Sequence, residues 1–452
     1  MAEKSVRKRR KSLSTSKIAV LVFAAVIILG TVLLMLPVSS RNGECCGFKT
    51  ALFTATSSTC VTGLVLADTW SQWSGVGQFV IIAMIEIGGL GFMSLASFIF
   101  VLARKKVGFQ QRMLIAESIN SDGNGGVVRI QRNLLIGSLS VETLGALVLF
   151  LRFLPLYGAS RALKLGVFHS VSAFCNAGFD IMGFKAPGTS MALMADDPVV
   201  LPTLSVLIIA GGIGFVVWDE IIRLKPKKWS VYTKLVLITT AVLLLFGWIV
   251  FCLLEWNNPQ TLGGFSTCSK LLNSFFQSVT LRTAGFASFD QNGLTPAGKA
   301  VSDFLMFIGG SSGSTAGGIK TVTFVVLFLF IRSRVRGRKG TDVFKHTVSD
   351  EQVMNALSLF IIMVTLSFAG ASFMCANSAV AFDAALFETI SALGTVGLST
   401  GITAQLGTAS QIMLIIFMFF GRIGILTISI GFLKGNYTER NYRYSGTNLL
   451  IG

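Results

Sequence analysis

Four short segments of this chain end on a glycine in the same context: ALFTATSSTCVTGL, GVFHSVSAFCNAGF, NSFFQSVTLRTAGF and ALFETISALGTVGL. The glycines are Gly63, Gly178, Gly285 and Gly397, spaced 115, 107 and 112 residues apart, and each has a phenylalanine ten residues upstream: Phe53, Phe168, Phe275 and Phe387. The tripeptides Val61-Thr62-Gly63, Asn176-Ala177-Gly178, Thr283-Ala284-Gly285 and Thr395-Val396-Gly397 offer backbone carbonyl oxygens, the ligands that replace the water shell of a dehydrating cation. Glycine suits such a site because it reaches left-handed or extended conformations that turn a carbonyl inward without a side-chain clash. Four ordinary turns would not need the same phenylalanine at the same offset every time.

These tripeptides must be held at a common depth, and the chain around them supplies the means. Hydrophobic residues make up 52% of it, charged residues only 13%, and the mean hydropathy is +0.71, outside the range of soluble domains. Stretches such as Ile18 to Leu36 are about long enough to cross a bilayer as a helix. Eight such spans are read. The first is too long for a signal peptide, has no small-residue cleavage site, and stays in the mature chain. The segments ending on the four glycines are too short to span, so they dip in and return, each a pore helix ending just before its glycine with its negative dipole end toward the axis. Irregular backbone at membrane depth is tolerated only in a water-filled cavity or inside protein, so four such segments imply one shared pathway. A second motif follows each glycine inside the next span: IGGLGF at Ile87, AGGIGF at Ala210, IGGSSGSTAGGIK at Ile308 and FGRIGI at Phe420. The chain is thus four copies of one unit of about 110 residues.

A formal charge of +17 raises the question of nucleic acid, but 27 of the 38 basic residues fall in five clusters that alternate with the spans. They are KSVRKRRKSLSTSK, RKK with Arg112, Arg129 and Arg132, RLKPKKWSVYTK, RSRVRGRKGTDVFK, and Lys434, Arg440 and Arg443. All lie on one side, which the positive-inside rule makes the cytoplasm, with both termini there. Attraction to anionic membrane lipid is the lesser reading of that charge, and no nucleic acid is expected. Seven cysteines show no metal-ligand spacing, and only Cys45 and Cys46 fall in a predicted outside loop, so they are assigned no chemistry. With two histidines, His169 and His346, and no carboxylate pair beside a nucleophile, no enzyme is expected. At the outer mouth Glu44, Asp68, Asp180 and Asp290 would concentrate cations, and Arg282 is expected to pair with one of them.

The third repeat departs from the others by placing Gly309, Gly310, Ser311, Ser312, Gly313, Ser314, Thr315, Ala316, Gly317 and Gly318 in the middle of a span, followed by Lys320. Each glycine costs roughly 1 kcal/mol against alanine in a helix, so the helix should break from about Gly309 to Gly318. A polar loop there could gate the pathway or serve as a packing hinge. A phosphate-binding loop does not fit, since Ile319 separates Gly318 from Lys320 and both flanks are hydrophobic. Lys320 and Arg422 stand where a cation costs about 2.5 to 3.5 kcal/mol on insertion scales, which points to function. Arg422 either bonds the carbonyls of the gate loop or forms a salt bridge with Glu86, Glu142 or Asp219.

On these repeats the chain resembles the Trk/Ktr/HKT superfamily of potassium transporters, and within it the Ktr-type membrane subunit, from about residue 18 to 433. The resemblance implies an all-α integral membrane fold of eight transmembrane helices and four re-entrant pore loops, four span-pore-span repeats in pseudo-fourfold arrangement, with one filter glycine per repeat and an intramembrane gate. It associates a full set of glycines with potassium (K+) and leaves sodium (Na+) coupling or leak open, with no organic cofactor. It also implies a homodimer, a cytoplasmic ring of nucleotide-binding regulatory subunits, and a bacterial plasma membrane. The divisions are a basic N-terminus (1–17), repeat 1 (18–112), a connection (113–133), repeat 2 (134–222), a connection with repeat 3 (223–336), a connection with repeat 4 (337–433) and a tail (434–452). The rival reading, a secondary transporter of another solute, is disfavoured because inverted repeats would put alternate copies on opposite sides.

Overall fold

A computed structural model describes residues 15–90, 127–338 and 340–424. The basic cluster through residue 14, the RKK cluster with Arg112, and the tail with Lys434, Arg440 and Arg443 lie outside the described residues.

The apolar runs fold as long helices: α1 Thr15–Met35, α4 Val127–Tyr157, α8 Val231–Glu255 and α12 Asp350–Asn377. Each of the four is long and apolar enough to cross a membrane. Each is followed by a short helix: α2 Phe48–Thr59, α5 Ala159–Phe174, α9 Thr267–Thr280 and α13 Phe382–Gly394. These have 12, 16, 14 and 13 residues, or about 18 to 24 Å at 1.5 Å per residue, short of the roughly 30 Å of a hydrocarbon core. Starts are marked by side-chain caps: Ser230 accepts from the Thr233 amide, Ser266 from Ser269, Ser349 from Gln352, and Thr295 from Gly298 with Pro296 at the first helical position.

The third helix of each repeat runs into the second glycine motif, where Gly214 of repeat 2 and Gly424 of repeat 4 share a φ of +92°. In repeat 1, α3 spans Gly75–Leu90, and in repeat 4, α14 spans Thr408–Ile423. In repeat 2 the helix is broken into α6 Val200–Gly212 and α7 Phe215–Arg223, bent by 96° where Gly214 takes a φ of +92°. The sequence reading had a continuous span there. In repeat 3, α10 Pro296–Phe307 stops short of the glycine-rich stretch and α11 Thr321–Val335 begins after it. The fold is not purely helical either: β1 Thr341–Val343 and β2 His346–Val348 pair antiparallel, with Phe344 and Lys345 both at positive φ in the turn. The β-branched Thr341, Val343, Thr347 and Val348 were the available signal.

The repeats close into a ring. The third helix of each repeat packs on the short helix of the next: α3 on α5, α6 on α9, α10 on α13, and α14 back on α2. Glycine lets these helices approach. A Cβ on Gly88, Gly211 or Gly421 would run into the carbonyl of Thr59, Phe174 or Leu393, at or near the end of the same repeat's short helix. The anchoring phenylalanines fill the space behind, with Phe53 and Phe387 at 0% exposure and Phe168 at 5%, while Phe275 is half-buried, edge-on to Trp248.

Candidate functional site

The backbone just past the ends of the short helices takes the same conformation in all four repeats. The residue two before each glycine is left-handed despite its side chain: φ is +57° at Val61, +59° at Asn176, +68° at Thr283 and +50° at Thr395. The glycines follow at +99°, +68°, +83° and +94°. Left-handed backbone costs roughly 1–2 kcal/mol for an ordinary residue, so four such residues at one place must be held by their surroundings. The amides between them do the holding. Thr62 N–H donates to the Ser57 carbonyl at 2.8 Å, Ala177 to Ser172 at 2.7 Å, Ala284 to Thr280 at 2.9 Å and Val396 to Ser391 at 2.8 Å. The Gly63 and Gly397 amides donate to the hydroxyls of Ser57 and Ser391, each at 3.0 Å.

The four glycines meet around one axis. A Cβ on Gly63 would lie 2.5 Å from the Ala177 carbonyl oxygen, one on Gly178 2.7 Å from that of Ala284, and one on Gly285 2.5 Å from that of Val396. A Cβ on Gly397 would overlap the Thr62 carbonyl, which completes the circuit. Each repeat therefore needs glycine because the next repeat's carbonyl occupies the side-chain space. The hydroxyls of Thr62, Thr283 and Thr395 are buried there without a protein hydrogen-bond partner.

Side chains deeper in the short helices pin the segment after the glycine. His169, nine residues before Gly178, donates from Nδ1 to the Leu165 carbonyl at 2.8 Å, and its Nε2 accepts the Ile181 amide at 3.3 Å, which fixes a neutral tautomer. Glu388 stands at the same offset before Gly397 and accepts from Thr400 N–H (3.2 Å), Thr403 Oγ1 (3.0 Å) and Ser399 Oγ. In repeat 3 the Gln277 amide reaches Gln291 at 2.6 Å. Sequence reading gave His169 and Glu388 no role; a polar residue shared at one offset before the glycine was the only clue. The acids expected at the mouth accept hydrogen bonds from backbone amides. Asp68 accepts from the Ser71 amide (2.8 Å) and from Gly188 (3.2 Å), Asp290 from Asn292 (2.9 Å) and Asp180 from Met182 (3.0 Å). Burial, with Asp68 nearby, pushes the Asp180 carboxyl up to about 6. Arg282 pairs with none of these acids among the described residues. It lies three residues before Gly285, just past the end of its short helix, and donates instead to the Gly309 carbonyl at 3.4 Å.

The glycine-rich stretch forms a closed loop whose ends are tied by Gly309 N–H to the Ile319 carbonyl (2.8 Å) and Thr321 N–H to that of Gly310 (3.1 Å). It is anchored to the break in repeat 2: Ser311 N–H and Oγ both donate to the Gly212 carbonyl at 3.1 Å, and Phe215 N–H to that of Gly313 at 2.9 Å. Thr315 Oγ1 donates to the Phe174 carbonyl at 3.1 Å, Tyr232 Oη to that of Ser312 at 2.7 Å, and Lys320 Nζ to that of Ala316 at 2.8 Å. A Cβ on Gly317 would strike the Thr395 hydroxyl, so the loop lies directly against the ring. Arg422 donates through Nη1 to the Thr315 carbonyl and through Nη2 to those of Gly88 and, at 2.9 Å, Gly89. One guanidinium thus joins repeats 1, 3 and 4. It makes no ion pair among the described residues, and Asp219 pairs with Arg223 at 2.8 Å. Lys320 and Arg422 both donate to backbone carbonyls, of the glycine-rich loop in both cases and of α3 as well for Arg422, which is how two cations stand in an apolar setting. Tyr232 and the bend at Gly212–Gly214 were missed in the sequence because only the third repeat's polar insertion stood out.

A family profile described as cation transport protein, TrkH, matches residues 4–443. The chain is similar to the potassium/sodium uptake protein NtpJ of Enterococcus hirae, 38% identical over 451 residues and 98% of each chain. It is also similar to the Ktr system potassium uptake protein B of Bacillus subtilis, 39% identical over 431 residues and 95% of each chain. Among solved structures, the potassium transporter TrkH from Vibrio parahaemolyticus has a TM-score of 0.73 at 18% identity, covering 94% of this chain and 86% of that one, and shares its fold. A ring of four repeats with a matching profile across nearly all its length leaves one assignment: the chain belongs to the TrkH family of cation transport proteins, which are ion transporters and not enzymes.

Proposed function

We propose that the chain takes up potassium across the plasma membrane through the centre of the four-glycine ring, with the loop from Gly309 to Gly318 as its gate and Arg422 as the latch. The observation that carries this reading is the closed circuit in which each glycine makes way for a carbonyl of the next repeat. Carbonyls gathered on one axis are oxygen ligands for a dehydrated cation. The names of the relatives supply potassium as the ion, and one of them, a potassium/sodium uptake protein, is the reason for keeping sodium coupling within the proposal. The membrane potential would drive entry with about 2.3 kcal/mol per elementary charge per 100 mV. On this reading there are eight spans and four re-entrant segments, both termini face the cytoplasm, and two copies assemble with a cytoplasmic nucleotide-binding ring that releases the loop.

The test is potassium uptake in cells lacking their own potassium transporters, with and without sodium, for the wild type and for Gly63→Ser and Gly397→Ser at matched expression. Uptake lost or turned toward sodium in both variants is the expected result. Unchanged uptake in well-expressed variants would make the glycines mere turns and return the secondary-transporter reading.

A further inference from the structure

Where repeats 1 and 2 meet, three side chains converge that neither the ring nor the loop uses. Glu86 lies near the end of α3, Glu142 in α4, and Cys175 directly after α5. One ligand atom from each lies within 4.8 Å of the others, and Cys175 Sγ is 3.5 Å from Glu86 Oε2. Glu142 is 4% exposed and Cys175 0%. The Oε1 atoms of both glutamates are buried without any hydrogen-bond partner. No lysine or arginine pairs with either carboxylate among the described ion pairs, and the nearby Arg422 spends its donors on backbone carbonyls. Two buried carboxylates with open oxygens are costly unless they take up protons or a cation joins them, and only a cation would also use the thiol beside them as a ligand.

We propose that Glu86, Glu142 and Cys175 bind a thiophilic divalent cation of the zinc class, and that its binding holds Arg422 on the loop. The thiol decides the class. Alkali and alkaline-earth ions take oxygen ligands, whereas a sulfur with two carboxylates suits zinc or cadmium. Binding forms a metal–sulfur bond and releases the thiol proton to solvent, with no change of oxidation state. The link to Arg422 runs through Gly89. A Cβ there would lie 2.6 Å from Cys175 Sγ, and its carbonyl accepts from Arg422 at 2.9 Å. Glu86 is on the same helical turn as Gly89. A metal that draws Glu86 to Cys175 and Glu142 therefore fixes the two carbonyls that hold the arginine.

Holding Arg422 on the loop would inhibit uptake; that inhibition, though not the metal site, rests on the conduction proposed above, and two readouts keep them apart. The full-length chain in detergent, with Cys45, Cys46 and Cys268 changed to Ser, is titrated with Cd2+ and followed by the cadmium–thiolate charge-transfer band. One ion per chain is expected, with the band lost in Cys175→Ser and affinity weakened at least about tenfold in Glu142→Gln, since loss of a ligand should cost no less than loss of an outer-shell partner. In proteoliposomes, Zn2+ should inhibit potassium uptake, and Glu142→Gln should need at least about tenfold more for half-inhibition while keeping uptake without metal. No band, a band surviving Cys175→Ser, or full affinity in Glu142→Gln overturns the site. A normal band with zinc-indifferent uptake overturns the hold on Arg422. A normal band with no potassium uptake in any protein overturns the conduction reading and leaves the site standing.

Discussion

Replacing Arg422 with alanine tests whether the loop is latched from repeat 4. The guanidinium donates to three carbonyls, but only the bond to Thr315 ties α14 to the loop; the other two end on Gly88 and Gly89 of α3. A hydrogen bond from a charged donor is worth about 1.5–3 kcal/mol, so its loss should lower the closed-to-open ratio by about 10- to 150-fold. The loop keeps the bonds of Ser311 to Gly212, Thr315 to Phe174 and Tyr232 to Ser312, so a shifted equilibrium and not a detached loop is expected. The assay is basal potassium uptake in proteoliposomes without any regulatory partner, normalised to folded protein by size-exclusion chromatography. Arg422→Ala should raise basal uptake, and Arg422→Lys should fall between it and wild type, because an ammonium keeps the charge without the fork that reaches both the loop and α3. Unchanged basal uptake in a folded Arg422→Ala protein would refute the latch, and so would a loss of folding with uptake per folded molecule unaltered.

Gly397→Ala should abolish uptake and lower Tm, since a left-handed alanine costs about 1–2 kcal/mol and overlap with the Thr62 carbonyl about 1–3 more; both are read from uptake and thermal unfolding in detergent. Tyr232→Phe removes one neutral bond to Ser312, worth about 0.5–1.5 kcal/mol, and should raise basal uptake about 2- to 13-fold in the same proteoliposome assay. Glu388→Ala leaves the Thr400 amide and two hydroxyls without their acceptor and should reduce selectivity for potassium over sodium more than Glu388→Gln does, as measured by competitive uptake. Asp180, raised to about 6, is mostly charged at pH 7 and mostly neutral at pH 5, so the apparent affinity for potassium should fall as pH drops between them, and Asp180→Asn should flatten that dependence. The same raised value means the folded state holds this proton more tightly than the unfolded one, so Asp180's contribution to stability declines as pH rises from about 4 to 6, and Tm of wild type relative to Asp180→Asn tracks it.

Much was legible in the amino-acid order because membrane insertion reads the chain locally. The long apolar runs, the four glycines with their phenylalanines, and the helix-breaking insertion in repeat 3 are each properties of a few neighbouring residues. The bend at Gly214 was not legible, since AGGIGF reads as an apolar continuation of its span and the loop that seats against the break, through Ser311 to Gly212, comes from 99 residues away. Arg282 was expected to meet an outer acid, but the direction of its helix end carries it to Gly309 instead. The left-handed Val61, Asn176, Thr283 and Thr395 carry no common residue type, because their conformation is imposed by the amide bonds around them and not by preference.

Sequence alone determined the number of repeats, the apolar helices and the class of chemistry, because periodicity and hydropathy are recorded one residue at a time. The tertiary structure decided which repeat meets which, that Arg422 joins three of them, and that Glu86, Glu142 and Cys175 come within reach of one another. Those contacts join residues up to hundreds of positions apart, and their partners are backbone carbonyls or unlike side chains, so no spacing in the chain announces them.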